Sequence, residues 1–146
     1  MKKSRREARE YILQILFHLD FNPTETGRIL KWFWKENPCG EEVSLFVERV
    51  INGIAEKQKD LDALISKYSE NWKIHRMGAV DRNVLRMALY EMLYCDDIPP
   101  VVSINEAVDI AKYFSNKESG SFVNGILDRV METLPRDSRK ASDGSK

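Results

Sequence analysis

The sequence predicts an all-α protein, and two observations carry that prediction. Apolar residues recur at intervals of three and four along most of the chain, which is the period of an amphipathic helix. No segment shows the sustained alternation of apolar and polar residues that a half-buried strand requires. Helices joined by short loops favour two small bundles packed together, at about residues 1–70 and 71–135, and the polar stretch 136–146 is predicted to be a disordered tail.

The first two helices have start and stop signals. Ser4 and Glu7 form a capping-box pattern, so the first helix is predicted from about Ser4 to Leu19. Thr24 is predicted to cap a second helix that reaches about Asn37, before a proline. A third helix begins near Glu41. Its apolar period is interrupted by the charged run 56–60, which predicts a solvated face or a kink, with a shorter fourth helical segment at 61–68.

Three more helices are predicted in the second half. The first runs from about Gly78 to Cys95 and ends before two prolines. Ser103 and Glu106 form a second capping-box pattern that opens the next helix. A polar loop is predicted at 115–120. The last helix then starts at about Ser119 or Ser121 and stops at Pro135.

Composition excludes several classes of protein. The 146 residues are 42% hydrophobic and 32% charged, with 7 Gly and 5 Pro. This balance is typical of a soluble, helix-rich protein and excludes a disordered or fibrous one. Lys and Arg number 23, and so do Asp and Glu, so attraction for nucleic acid requires local clustering. No run approaches the roughly 20 apolar residues of a membrane span. We expect a cytoplasmic protein with no membrane association, in which Cys39 and Cys95 are reduced thiols.

The clearest cluster of positive charge lies at the start of the first helix. Lys2, Arg5, Arg6 and Arg9 fall on one arc of about 100° beside the apolar stripe. Such residues are often merely solvated. Alternatively, guanidinium groups on a rigid helix can bind the phosphates of an RNA strand, with an affinity that falls as salt rises.

A single-strand RNA reader also needs an aromatic ring and amide groups. Phe122 and Asn124, near the start of the last helix, are the candidates, although a Phe at helical spacing is usually in a core. Gly125 lies within that helix, which predicts a close approach of another helix, and Asn105 could bond to Asn124 or to buried backbone. Asp81, Arg82 and Arg86 are predicted to form surface or inter-helix ion pairs.

The sequence contains no motif that predicts catalysis. There is no glycine-rich phosphate loop and no HExxH, and neither Ser nor Cys stands in a nucleophile motif. His18 lies on the first helix and His75 in a connection, where ordinary polar roles are expected. We therefore expect a protein that is not an enzyme, with no catalytic residues, no cofactor and no metal site.

Several segments, read together, resemble a known family. They are Arg5 to Glu10, Trp72 with Arg76-Met77, Val80 to Glu91, Ile98-Pro99, Ile104 to Val108, Ala111-Lys112 and Phe122 to Asp128. Their order and spacing resemble those of the NusB family of bacterial transcription antitermination factors. The resemblance covers about residues 5–128, and the Asn-Glu-Ala and Phe-Val-Asn-Gly segments are its most specific parts.

The resemblance implies a partner set. It implies that the chain binds single-stranded boxA RNA of ribosomal RNA leaders jointly with NusE, a small-ribosomal-subunit protein, within the RNA polymerase antitermination complex with other Nus factors. The residues that match the family's RNA-binding positions are Lys2, Lys3, Arg5, Arg6, Arg9, Phe122 and Asn124. Asp81 and Arg82 match the side that the resemblance assigns to the protein partner.

Two acidic residues limit the RNA affinity that we expect, and two other functions remain as alternatives. Glu7 interrupts the arginine run and Glu118 precedes Phe122, so we expect modest RNA affinity from the chain alone. One alternative is a protein adaptor in which the arginines only increase solubility. The other is an RNA-binding module in ribosomal RNA maturation, because a NusB-like domain also precedes the catalytic domain of a ribosomal RNA cytosine methyltransferase.

Overall fold

Six α-helices build the part of the chain that the structure describes. The computed structural model describes residues 2–70 and 74–135, except for the side chains of residues 2, 3 and 75. The helices are α1 Lys2–Phe21, α2 Thr26–Glu36, α3 Glu41–Tyr68, α4 Ala79–Tyr94, α5 Pro100–Phe114 and α6 Lys117–Thr133, with a 3-10 turn at Ile74–Arg76 before α4. Within these ranges there is no strand, and the all-α prediction is confirmed. The predicted tail and Trp72 lie outside the described residues.

The helix α4 is the centre of the fold, because it packs against α1, α3, α5 and α6. Val84, Leu85, Ala88, Leu89 and Met92 recur at helical spacing and are buried to 1% exposure or less. Buried residues of all six helices join them in one hydrophobic cluster. The helix α4 therefore contacts helices on both sides of the predicted division near residue 70. The division into two bundles stays a prediction.

The helix α3 is continuous from Glu41 to Tyr68, so the predicted break at 56–60 is wrong. Glu, Lys and Gln in that run are good helix formers and lie on the outer surface, which is the solvated face that the sequence allowed. Leu61 and Ile65 continue the buried stripe beyond it.

Both predicted caps in the first half are wrong. The backbone is already helical at Lys2, so Ser4 lies inside α1 and does not cap it. The helix α2 begins at Thr26, and Glu25 occupies its N-cap without a side-chain hydrogen bond, so Thr24 is one residue too early. Helix ends are set by tertiary packing as much as by local signals.

The starts of α5 and α6 also differ from the prediction. The helix α5 begins at Pro100, because a proline in the first turn gives up no hydrogen bond and fixes a helical φ angle. Ser103 is consequently a buried residue inside the helix. The helix α6 begins at Lys117, where Asn116 caps it by accepting a hydrogen bond from the Ser119 amide at 2.8 Å. Most of the predicted loop 115–120 is therefore helical.

The close approach predicted at Gly125 is absent. A Cβ built on Gly125 would meet nothing within 4 Å, and Asn105 and Asn124, which were predicted to bond to each other or to buried backbone, are both exposed. The close helix approach is at Gly53 instead, where a Cβ would overlap the ring of Tyr90. Gly53 therefore leaves space for the Tyr90 ring of α4 to lie against α3.

Both cysteines are free thiols, as predicted. Burial raises the pKa of the Cys95 thiol to about 11, so it is protonated at neutral pH. No helix among the described residues is long and apolar enough to cross a membrane. Within the same ranges, no group of three or more His, Cys, Asp or Glu is placed to hold a metal ion.

Candidate nucleic-acid interface

The N-terminal half of α1 lies against the C-terminal half of α4. Arg9 near the start of α1 bonds Glu91 near the end of α4, while Asp20 at the end of α1 bonds Asn83 near the start of α4. The two helices are therefore antiparallel. This arrangement places the predicted arginines beside the end of α4 and the beginning of α5.

Arg9 is buried and forms a bidentate ion pair. Its Nε and Nη2 atoms donate to the two carboxylate oxygens of Glu91, each at 2.8 Å. Arg9 is 3% exposed and Glu91 is 1% exposed. Ser103 donates a third hydrogen bond to Glu91 at 2.7 Å. Because its guanidinium is enclosed in this way, Arg9 does not present a phosphate-binding face in this conformation.

Arg5 and Arg6 remain accessible on the same helix. The Arg6 side chain is 39% exposed and donates to Glu106 and, at 3.3 Å, to Asp109 on α5. The guanidinium carbon of Arg5 lies 4.0 Å from the ring centroid of Phe46, a cation–π arrangement. Its Nη2 atom is 3.9 Å from Asp97. Both guanidinium groups therefore lie beside acidic side chains while part of their surface stays accessible.

Asp97 competes for the positive charge at this site. Arg49 donates to it at 2.7 and 3.4 Å. That hydrogen bonding lowers the pKa of the Asp97 carboxyl, with a smaller contribution from Arg5. The carboxylate is therefore ionised at neutral pH. A phosphate that binds Arg5 must share the guanidinium with Asp97 or displace the Asp97 carboxylate from it.

A groove of about 450 Å³ runs between these charged residues. Its lining residues are Arg5, Arg9, Glu42, Asp97, Ile98, Pro99, Val102 and Glu106. Apolar side chains of the α4–α5 connection form part of its floor, and charges of both signs surround them. Lys2 and Lys3 are the first two residues of α1, but their side chains lie outside the described part of the chain. The exposed basic residues of this region, Arg5 and Arg6, are called the α1 basic site below.

Phe122 lines a second groove, of about 330 Å³. It shares this groove with Met77, Gly78, Asp81, Asn116, Glu118 and Ser119. Phe122 is partly buried and packs against the core. It therefore contributes to the core and also lines the surface of the groove. Asn124, two residues further along α6, is exposed.

Asp81 and Arg82 differ in their hydrogen bonds. Arg82 donates to Asp20 at 2.8 Å and to the carbonyl of Met77 at 3.0 Å. Arg86 donates to both oxygens of Asp62, at 2.8 and 3.0 Å, so the predicted ion pairs of Arg82 and Arg86 are confirmed. Asp81 is different, because its buried Oδ1 atom has no hydrogen-bond partner.

The two grooves lie toward opposite ends of α4 and α5. Glu91, beside Arg9, is ten residues from Asp81, which is about 15 Å along a helix. Ser103 in the first turn of α5 reaches Glu91, while Asn116, just beyond the end of α5, lines the Phe122 groove. A ligand that touches both grooves can follow α5, because residues at or near its two ends line them. Their separation suits an extended polymer and not a small molecule.

Glu91, which bonds Arg9, and Ser103, which bonds Glu91, were not predicted as parts of the site. A signal was available for Glu91, because positions 84, 88, 91 and 95 share one face of α4 and the other three residues are apolar. A carboxylate on such a face predicts a buried cation nearby. For Ser103 the capping-box pattern gave a competing and incorrect explanation.

Comparison with known proteins gives one consistent family. The model of the NusB family matches residues 6–132. Transcription antitermination protein NusB of Desulfatibacillum aliphaticivorans is 44% identical over 126 residues, which cover 86% of this chain and 88% of that protein.

Solved structures agree with the same fold. T. maritima NusB superimposes with a TM-score of 0.86 at 38% identity and covers 94% of this chain, as well as 96% of its own. A structure of the antitermination factors NusB and NusE in complex with dsRNA superimposes with a TM-score of 0.83 at 24% identity, covering 92% of this chain and 100% of that one. The match to the family model and the identity to its members lead to one conclusion: the chain belongs to the NusB family.

Proposed function

We propose that the chain is a transcription antitermination factor that binds single-stranded boxA RNA of ribosomal RNA leaders together with NusE. It then joins the elongating RNA polymerase with other Nus factors. It acts in the cytoplasm by binding and not by catalysis. The relatives carry the name of this activity, and a NusB of the same fold has been seen in a complex with NusE and double-stranded RNA.

The observation that supports RNA binding most directly is the exposure of the α1 basic site. Arg5 and Arg6 keep a third or more of their side-chain surface accessible, while Arg9 does not. Lys2 and Lys3 precede them in the sequence and add to the positive charge. We assign direct phosphate contacts to Arg5 and Arg6, flanked by the two lysines, and we assign Arg9 the task of holding α1 in place.

The Phe122 groove is the second part of the proposed RNA surface. Phe122 and Asn116 both line this groove, and Asn124 is exposed on the same helix as Phe122. Amide groups bond base edges and rings stack on bases, which are the contacts that select a single strand. Asp81 and Arg82 remain our candidates for the protein partner, because Asp81 lines the Phe122 groove and Arg82 follows it on α4.

A binding titration tests the proposal. The RNA contains boxA or a scrambled sequence, and each is measured as a single strand and as a duplex, with and without NusE, at several salt concentrations. We expect preference for single-stranded boxA, modest affinity for the chain alone and tighter binding with NusE, because binding coupling is reciprocal. Equal binding of boxA and scrambled RNA under all conditions contradicts the proposal.

Replacing both Arg5 and Arg6 by alanine is expected to weaken RNA binding and to reduce its salt dependence. For a single strand each lost phosphate contact lowers the slope of log affinity against log salt by about 0.7, so two contacts change it by about 1.4. The matched control replaces Arg28 and Lys31, which are exposed on α2, by alanine and changes the net charge equally. An unchanged slope in the α1 variant, or an equal change in the control, removes the α1 basic site from the RNA surface.

Glu118→Gln is expected to strengthen RNA binding. Glu118 is exposed and lines the Phe122 groove, where its charge repels phosphate. Exposed charge pairs are worth up to about 1 kcal/mol, so the gain is about two- to fivefold at low salt and disappears at high salt. Glu36→Gln on α2 is the control for loss of one negative charge. A gain that is the same at all salt concentrations points to a cause other than charge.

The structure also contains an observation that favours the adaptor alternative. Arg6 and Arg9 are both within hydrogen-bond distance of carboxylates, and Arg5 is close to one. A purely protein-binding factor could use these pairs only to fix α1. If the chain binds NusE normally and binds no RNA at any salt concentration, with or without NusE, the adaptor function replaces the RNA-binding one.

A further inference from the structure

An exposed aromatic side chain lies between the two grooves. Tyr113, in the last turn of α5, is 79% exposed, and Phe114 beside it is 37% exposed. The neighbouring ring of Phe114 is 4.9 Å away, centroid to centroid, in an edge-on arrangement. This contact restricts the Tyr113 ring while leaving it accessible to a ligand.

Tyr113 lies on the same face of α5 as the acids that contact the α1 basic site. On a helix with about 100° per residue, positions 106, 109 and 113 fall within about 60° of one another. Arg6 contacts Glu106 and Asp109, and Tyr113 follows Asp109 by one turn, about 6 Å. An RNA strand that leaves Arg6 and follows α5 therefore reaches Tyr113 before the α5–α6 turn and the Phe122 groove.

Basic and amide residues lie close to Tyr113 in the sequence. The segment 112–117 reads Lys-Tyr-Phe-Ser-Asn-Lys, and both lysines and Asn116 are exposed. Gly120 leaves space for the stem of Lys112, since a Cβ there would lie 2.6 Å from its Cγ atom. The stem therefore packs on α6, so the lysine is held beside the turn. An accessible ring with exposed lysines before and after it in the chain matches the chemistry of an unpaired nucleotide, whose base stacks and whose phosphate is negative.

We propose that Tyr113 is a stacking platform for one unpaired base of the bound RNA, between the α1 basic site and the Phe122 groove. This inference rests on the proposed function. It explains how one strand can connect two grooves that are about 15 Å apart along α4. It also supplies an aromatic contact that, unlike Phe122, is not part of the core.

The test measures the affinity of the full chain with NusE for single-stranded boxA RNA. Tyr113→Ala is expected to weaken binding about fivefold or more, the lower end of what one stacked base contributes, without changing the salt slope, because no phosphate contact is lost. Tyr113→Phe keeps the ring and is expected to bind within about twofold of wild type. A fluorescent base analogue, 2-aminopurine, placed at successive positions should be quenched at one or two of them in wild type and Tyr113→Phe, but not in Tyr113→Ala.

Tyr94→Ala is the matched control. Tyr94 is also an exposed tyrosine next to a lysine, with Lys57 Nζ 5.4 Å from its ring, but it lies where α4 meets α3. We expect its RNA affinity to stay within about twofold of wild type. Thermal unfolding of each variant shows that the fold is intact.

Four results would overturn the platform. They are an affinity of Tyr113→Ala within twofold of wild type, an equal loss in Tyr113→Phe, an equal loss in Tyr94→Ala, or a loss in Tyr113→Ala that is traced to weaker NusE binding without RNA. In each of these cases wild type still binds boxA RNA, so the proposed function stands. If wild type binds no RNA at all, the proposed function and the platform fail together.

Discussion

Arg9→Ala is expected to destabilise the fold by about 3–5 kcal/mol, the cost of leaving one member of a buried ion pair without its partner. Glu91 is 1% exposed, and without Arg9 the one hydrogen bond left to its carboxylate among the described residues is that from the Ser103 hydroxyl. Chemical denaturation measures this free energy directly. The unfolding slope should not change, because the native surface is nearly the same.

Two further variants separate charge from geometry at this position. Arg9→Lys keeps the charge but loses the planar pair of hydrogen bonds, so an intermediate loss of stability is expected. Arg6→Ala removes a partly exposed ion pair on the same helix and should cost no more than about 1 kcal/mol. A large loss for Arg6 and a small one for Arg9 would contradict the burial that the structure assigns to them.

The same variants divide the arginine run into two functions. Arg9→Ala should lose RNA binding only in proportion to its unfolded fraction, while Arg6→Ala should lose affinity with the fold intact. If Arg9→Ala remains stable and loses RNA binding with a reduced salt slope, then its guanidinium contacts phosphate and must leave Glu91 when RNA binds. That outcome would return Arg9 to the RNA surface predicted from the sequence.

Periodicity predicted the fold well because each helix buries a regular apolar stripe. The residues Val84, Leu85 and Ala88 of α4 were identified from spacing alone, and they are fully buried. Helix starts were predicted poorly, because local signals compete. Ser103 fits a capping box in sequence, yet Pro100 starts the helix earlier and Ser103 turns toward Glu91.

The candidate site could be predicted only in part, since a helical wheel shows which residues share a face but not which charge from another helix will meet them. Arg5, Arg6 and Arg9 share an arc in sequence, but only Arg9 meets a buried carboxylate. Glu91 is 82 residues away from Arg9 along the chain, and no local pattern links the two. The glycine assignment failed for the same reason, because a close helix contact depends on the partner helix.

Gly53→Ala is expected to destabilise the protein by about 2 kcal/mol, and the same substitution at Gly125 is expected to stabilise it by about 1 kcal/mol. Alanine is the better helix former at both positions, so the difference arises from space. At Gly53 the added methyl group overlaps the ring of Tyr90, and α3 and α4 must separate or the ring must move. At Gly125 it meets nothing within 4 Å.

A double-mutant cycle identifies the contact responsible. Tyr90→Ala removes the ring that the methyl group would meet, so Gly53→Ala should cost much less, or even stabilise, in that background. Glu42 of α3 and Asp97, just after α4, both line the first groove, so a shift of α4 from α3 would change the shape of that groove. RNA affinity of Gly53→Ala should therefore fall even where the variant is folded, while Gly125→Ala should bind RNA as wild type does. Equal stabilisation by both alanines would show that α3 and α4 do not approach each other at Gly53.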